Sequence, residues 1–507
     1  MDPPLQDIYP SDDGAFITFP SRRSVVHSTN GIVSTSSPLA TEAGLQVLRE
    51  RGNAADAAIA AAAVLNLVDP SMTGIGGDAF CLFYHAKTRK VHALNGSGRS
   101  PSKASLDGVC RDLNVTDRSS ASIPNTSIHS VTVPGAAAAW LDIIDKYGSG
   151  KVATSQVLAP GIRMAEEGVP VSEISSYNWQ KSEKELRGKV VEEGLLKYDP
   201  SYPEKYRAPR AGEIIKNESL AKTFKLLAER GKSGFYEGPV AEAVVQVSQE
   251  YGGYLTLDDL RNHTSEEVDS PYLAQRARLF NPARSTDVAD PGDPGGMHKI
   301  SDTIYLCVTD AEGNACSLVN SVSDNFGSRI IPPGTGFVLQ NRGSGFHLGP
   351  DHHPNLYAPG KRPYSTIIPA MVTNATDGTL HSVFGVMGGA MQPQGHVQVL
   401  MNMLRFGMNP QVALDAPRIC IGVSLPGKST DPSKTVDRTA YLEEGIGENV
   451  ARELEDMGHE VKIVRGMERS LFGRGQIIRV HHDPADGQRV YSAGSDMRGD
   501  GNAAPLL

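Results

Sequence analysis

DTIYLCVTDAEGNACSLVNSV, residues 302–322, reads as a β-hairpin that begins at a threonine. Two apolar, β-branched runs flank AEGN, whose Gly313 and Asn314 suit a tight turn. Just upstream, FNPARSTDVADPGDPGGMHKISD (280–302) is crowded with Pro, Gly and Asp, a composition that favours an exposed loop open to cleavage. A cut before Thr303 would free an α-amine with a pKa of about 8 beside its own hydroxyl. One residue would then supply both base and nucleophile. A threonine at the head of a strand is ordinarily structural, so the residues alone leave both readings open.

Outward from the hairpin, LATEAGLQVLRER (39–51) spaces apolar side chains three to four apart and stops at Gly52. Asn53 is placed to cap a second helix, AADAAIAAAAVLNLV, which is apolar on nearly every face and must lie between layers. The glycines of GIGG (74–77) read as a structural turn leading into strands Ala79–His85 and Lys90–Leu94. Residues 134–262 carry mainly helical periodicity, as in AAAAWLDIIDKYG and SLAKTFKLLAERG, each closed by glycine. Further strands are expected at Gly336–Gln340, Leu380–Val386, Glu460–Val464 and Gln476–His481, with a helix in HVQVLMNMLRFG. The C-terminal part is therefore mixed α and β.

At 507 residues the chain has room for a large core, and with 58 acidic against 49 basic side chains its net charge is −9. That balance gives no general pull toward nucleic acid or an anionic membrane. The five cysteines include no Cys-x-x-Cys pair, which argues against a structural zinc site or a disulfide scaffold. The longest apolar run, Ala57–Leu65, is about half of the roughly 18 residues that a membrane span needs. The acidic, proline-bearing start MDPPLQDIYPSDDGAF lacks the features of a secretory signal, so a cytoplasmic location is expected and the six Asn-x-Ser/Thr sequons read as chance.

Familiar catalytic signatures fail. There is no Walker A sequence, no spaced dinucleotide fingerprint and no G-x-S-x-G elbow. Asp351-His352-His353 and His481-His482 are adjacent residues that a strand would point to opposite faces, so no metal site is expected. Arg498-Gly499-Asp500 is treated as a chance match to an adhesion tripeptide.

Several ordered blocks change the weight of Thr303. They are GLQVLRERGNAADAAIAAAAVLNLVDPSMTGIGGDAF, SVTVPGAAAAW, DTIYLCVTDAEGNACSLVNSVSDNFGS, PGKRPYSTIIPAM, GVMGGAMQPQ, DAPR and GSDMRGDGNAA. Together they resemble the γ-glutamyltransferase (glutathione hydrolase) family of N-terminal-nucleophile hydrolases from about residue 31 to the end. The resemblance implies an α+β, four-layer αββα fold and a proenzyme that cleaves itself between Asp302 and Thr303. It would give a large fragment, 1–302, and a small one, 303–507, that remain together as a heterodimer. By position, Thr303 is the implied nucleophile and Ser321 its hydroxyl partner. Gly388 and Gly389 are the implied oxyanion-hole donors, and Ser365, Thr366, Arg99 and Arg342 the implied substrate contacts. No metal or organic cofactor is implied. The partners are a small-molecule amide and water or an amino-acid acceptor, with hydrolysis favoured over transfer.

Three departures bear on specificity. The transpeptidase members carry an aspartate near the position of Gly345 and a glutamine where Arg342 stands, and their arginine near Arg99 falls where this chain has Ser97. The NRG and GSGR patterns resemble the amidohydrolase and acylase branches. An arginine at 342 suits a carboxylate through paired hydrogen bonds, and loss of the aspartate weakens recognition of an α-ammonium. Both γ-glutamyl amides and other carboxylate-bearing acyl amides therefore stay open as donors. The chain is also shortened near 264–272, where relatives carry a core strand and helices. The alternative is an unprocessed, non-catalytic relative inactivated by that deletion.

Overall fold

The computed structural model describes residues 23–187, 194–268, 302–422 and 439–507. The Pro/Gly/Asp-rich stretch 280–301 and residues 269–272 of the shortened region lie outside these residues.

The helix after Asn53 spans Ala54–Val68 and every residue in it is buried. It starts where it does because Asn53 and Asp56 form a reciprocal capping box. It touches two layers: the Pro38–Arg49, Ala136–Tyr147 and Thr154–Glu167 helices, and the Asp302–Thr309 and Ala315–Ser323 strands. An alanine-rich sequence permits this, since small side chains let helix and sheet backbones approach on all faces.

The expected hairpin is present, with Asp302–Thr309 antiparallel to Ala315–Ser323. It forms the middle of a seven-stranded sheet ordered Asn502–Pro505, Ile32–Thr35, Asp302–Thr309, Ala315–Ser323, Asp78–His85, Lys90–Gly96, Glu266–Glu267. A second, five-stranded sheet runs Val26–Ser28, Arg489–Ser495, Arg474–His482, Leu380–Met387, Ala370–Thr373. The Leu380–Met387 and Arg474–His482 strands pack across Asp302–Thr309, and the Met391–Leu404 and Pro410–Asp415 helices cover the outer face. The order helix, sheet, sheet, helix is the four-layer αββα sandwich.

One contact fixes how the sheets are superposed. A Cβ added at Gly385 would lie 2.6 Å from the Tyr305 ring, so only glycine lets the two strands meet there. Gly385 is the sixth of the eight residues of its strand and Tyr305 the fourth of the eight of its own.

One expectation changes. Gly336–Gln340 is buried but not a strand: Leu339 exchanges hydrogen bonds with Ser328 and Ile330, and Gln340 N–H donates to Gly76 O at 3.0 Å. A Cβ at Gly76 would meet Val338 O at 2.1 Å, so the segment is pressed onto the GIGG turn instead of a neighbouring strand. The sequence showed an apolar run but not that its partner was a loop. At the shortened region, the last strand of the sheet among the described residues is the two-residue Glu266–Glu267, whose residues are exposed and charged, as suits an edge.

Candidate active site

Thr303 lies at a bulge: Asp302 pairs with Ser323 and Ile304 with Asn320, so Thr303 has no register partner of its own. The bulge turns its side chain toward the facing strand, and Oγ1 donates to Ser321 Oγ at 3.3 Å. Both residues are fully buried. Ser321 Oγ also accepts the Ser323 N–H at 2.8 Å, which fixes its orientation. The neighbouring Asn320 is clamped between Trp140 Nε1, 2.8 Å away, and Gly74 O, 3.0 Å away. A Cβ at Gly77 would meet Ser321 O at 2.2 Å, so the GIGG turn sits directly against this strand.

The row continues across the sheet, because Ser321 pairs with Asp78 of the next strand. Asp78 was not singled out from sequence. It is fully buried, accepting Gly98 N–H at 2.8 Å and Arg342 Nε at 2.7 Å. Burial pushes its carboxyl up from the ordinary value, while Arg342, the Gly98 N–H and Arg362 pull the other way. Arg342 is itself buried and gives Nη1 to Thr366 Oγ1, so two of the implied substrate contacts are joined through Asp78 to the threonine row. Ser365 is exposed, with its hydroxyl 3.5 Å from Ile367 O. Arg99 is also exposed and bonds to Gly360 O and to Glu266, at the rim and not in the row.

Gly388 and Gly389 directly follow the Leu380–Met387 strand and adopt φ of 134° and 54°, conformations that favour glycine. A Cβ at Gly388 would come within 2.7 Å of Gly473 Cα. Gly473 is held from behind by Arg418, whose Nη1 donates to Phe472 O at 2.9 Å and Gly473 O at 3.1 Å while Nη2 reaches Asp496 at 2.5 Å. Burial alone would raise the Asp496 carboxyl, but Arg418 and Arg498 hold it down at about 2. The DAPR and GSDMRGDGNAA blocks thus supply a buried charge network behind the glycine turn. In the RGD match, Arg498 belongs to this network and Asp500 accepts the N–H groups of Ile174 and Ser175 at a helix start. Gln392, also missed from sequence, ties the turn to the loop of Ser365 and Thr366: its amide oxygen accepts Ile368 N–H and its nitrogen donates to Thr366 O, both at 2.9 Å.

The layer order is that of the N-terminal-nucleophile hydrolase fold. A model of the γ-glutamyltranspeptidase family matches residues 40–271 and 265–506, two segments that meet at the shortened region. The chain belongs to that family and is a γ-glutamyltransferase-like amidohydrolase. It is 30% identical to the glutathione hydrolase-like YwrD proenzyme of Bacillus subtilis, with 95% of this chain and 99% of that protein aligned. It is 28% identical to the oxamate amidohydrolase proenzyme of Klebsiella pneumoniae, over 94% and 98%. Among solved structures, cephalosporin acylase from Bacillus halodurans superposes with a TM-score of 0.79 at 32% identity, covering 97% of this chain and 98% of that one. Among the described residues, no helix is long and apolar enough to cross a membrane.

Proposed function

We propose that this chain is a self-processing threonine amidohydrolase: it cuts itself between Asp302 and Thr303, and Thr303 then opens carboxylate-bearing acyl amides through a threonyl ester that water releases. The observation that carries the reading is the bulge that turns Thr303 Oγ1 onto Ser321 Oγ at the head of a central strand. The freed α-amine takes the hydroxyl proton and returns it to the leaving amine. N–H groups of Gly388 and Gly389 receive the developing oxyanion. Fragments 1–302 and 303–507 would stay associated, because Asp302–Thr309 lies between Ile32–Thr35 and Ala315–Ser323 within one sheet.

On the acyl side, Arg342 Nη2 is buried without a partner among the described residues, which favours a carboxylate-bearing donor. A Cβ at Gly345 would meet nothing within 4 Å, so the position where transpeptidases carry an aspartate offers space and no charge. That favours non-γ-glutamyl amides over γ-glutamyl ones. The relatives named as hydrolase and amidohydrolase proenzymes support water as the acceptor and cleavage as the route to it.

Hydrolysis of acyl-p-nitroanilides tests the nucleophile. Thr303→Ala is expected to abolish turnover, and Thr303→Ser to retain a measurable fraction, since serine keeps both hydroxyl and amine. Turnover by Thr303→Ala at the wild-type rate would remove Thr303 from the reaction.

A further inference from the structure

The Met391–Leu404 helix packs its inner side on the five-stranded sheet, and its outer side is apolar too. Pro393, Val397, Met401 and Leu404 recur every three to four residues and form one exposed stripe. Val397 is 62% exposed and Leu404 53%, and Phe406, just past the helix, is 67% exposed. The polar side chains turn sideways instead. Gln398 donates to Ile419 O at 2.9 Å and accepts Ile419 N–H at 2.8 Å, and Gln394 does the same with Ile421 at 3.1 and 2.9 Å. Asn402 donates to Ala413 O at 3.2 Å. The glutamine bonds lay the edge strand Ile419–Ile421 along the helix. Cys420 is buried, so Ile419 and Ile421 face outward and widen the stripe.

A surface helix ordinarily turns its apolar side to the core and its charges to water, and one that is apolar all round is covered on both sides. Here Val399 and Met403 are buried beneath the helix while Val397, Met401 and Leu404 stand in solvent. Arg405, Asp415 and Arg418 are the only charged side chains in 391–422, although 21% of the chain is charged, and Arg418 is locked inside. Few charges, with methionine, phenylalanine and arginine present, is the composition of an interface core. The apolar surface left in water on this stripe and its strand is of the same order as the roughly 800 Å² that each partner buries in a stable interface.

We propose that the stripe is closed by the same stripe of a second copy across a two-fold axis. The charge balance favours a copy at this place. A chain of net charge −9 repels itself where acidic faces meet, and here two copies meet almost without charge. A lipid surface fits poorly, because interfacial helices flank their apolar side with lysines and arginines, and Arg405 is the only exposed cation in 391–422. The stripe is also self-complementary. Val397 lies four residues before Met401 and Leu404 three after it, so an axis near Met401 sets antiparallel helices with Met401 against Met401 and Val397 against Leu404. All of these residues lie within 303–507, so the contact forms whether or not the chain is cut. It backs the helix whose first turn, through Gln392, holds Thr366 and Ile368.

Sedimentation equilibrium of the full-length protein, with light scattering on a sizing column, tests it. Wild type should have twice the 54.2 kDa of one chain, cut or uncut. Met401→Lys and Met401→Glu each set like charges against one another across the axis and should weaken association at least about 100-fold. Mixing the two variants should restore the dimer, which only a contact of position 401 with its own copy explains. Val397→Glu should also yield single chains, and Met457→Lys, exposed at the end of another helix, should leave the dimer intact. Far-ultraviolet circular dichroism like that of wild type identifies the folded variants. Wild type at the mass of one chain up to about 0.1 mM overturns the proposal. So does a dimer that Met401→Lys and Val397→Glu leave unchanged. Single-chain wild type that floats with vesicles of anionic phospholipid overturns it in favour of a membrane surface.

Discussion

Gly388→Ala is expected to lower kcat for amide hydrolysis by about 10²–10³-fold, the loss typical of one oxyanion-hole donor. Two independent constraints make the effect large. Gly388 has φ of 134°, which an alanine adopts only under strain, and its new Cβ would approach Gly473 Cα to 2.7 Å. Gly473 has little freedom to retreat, because Arg418 bonds its carbonyl and is itself locked onto Asp496. Relief therefore has to come from the Gly388–Gly389 turn, which rotates the N–H groups away from the Thr303 side. KM should change much less than kcat, since these donors act on charge that exists only in the transition state. The check is steady-state kinetics beside a urea-unfolding curve. A kcat within a few-fold of wild type, in folded protein, would remove the turn from the chemistry.

Asp78→Asn should destabilise the protein by about 3–5 kcal/mol, because it leaves the Arg342 guanidinium buried without its counter-ion. Asparagine fills the same volume and still accepts the Gly98 N–H, so the loss isolates the charge pair. The cost should be partly recovered in the double variant Asp78→Asn with Arg342→Gln, where no uncompensated charge remains. Both single variants should also lose activity on carboxylate-bearing donors, since each removes or releases the fork that Arg342 presents. Urea midpoints for the four proteins of this cycle provide the measurement. A change below about 1 kcal/mol in Asp78→Asn would mean that the pair is relaxed by solvent, contrary to its burial.

The fold was largely legible because its main elements are coded locally. The hairpin at 302–322 has strand periodicity and a turn in one stretch, and Asn53 followed by a largely apolar, alanine-rich helix reads as a capped element between layers. Gly388 and Gly389 were singled out only through the resemblance of their block; both adopt positive φ, and the close approach of Gly473 gives Gly388 a second physical reason. What escaped depends on distant partners. Asp78 and Arg342 are 264 residues apart in sequence, and an aspartate after GIGG carries no local sign that it will anchor an arginine. Gln392 stands within a quoted block, but its bonds to residues 366 and 368 arise only when two loops meet. Nor could the sequence show that Arg99, an implied substrate contact, is exposed and paired with Glu266, which lies beside Asn95 in the sheet. Gly336–Gln340 has the composition of a strand, and only the glycine turn beneath it makes it a loop.

The central claim is that Thr303 becomes an N-terminus, and intact mass spectrometry of purified wild type and Thr303→Ala tests it most directly. Division after residue 302 leaves 302 and 205 of the 507 residues, roughly 32 and 22 kDa of the 54.2 kDa chain. The account predicts these two fragments, co-purifying, from wild type and a single full-length species from Thr303→Ala. A wild-type protein that stays whole, or a mutant that splits at the same bond, would contradict it.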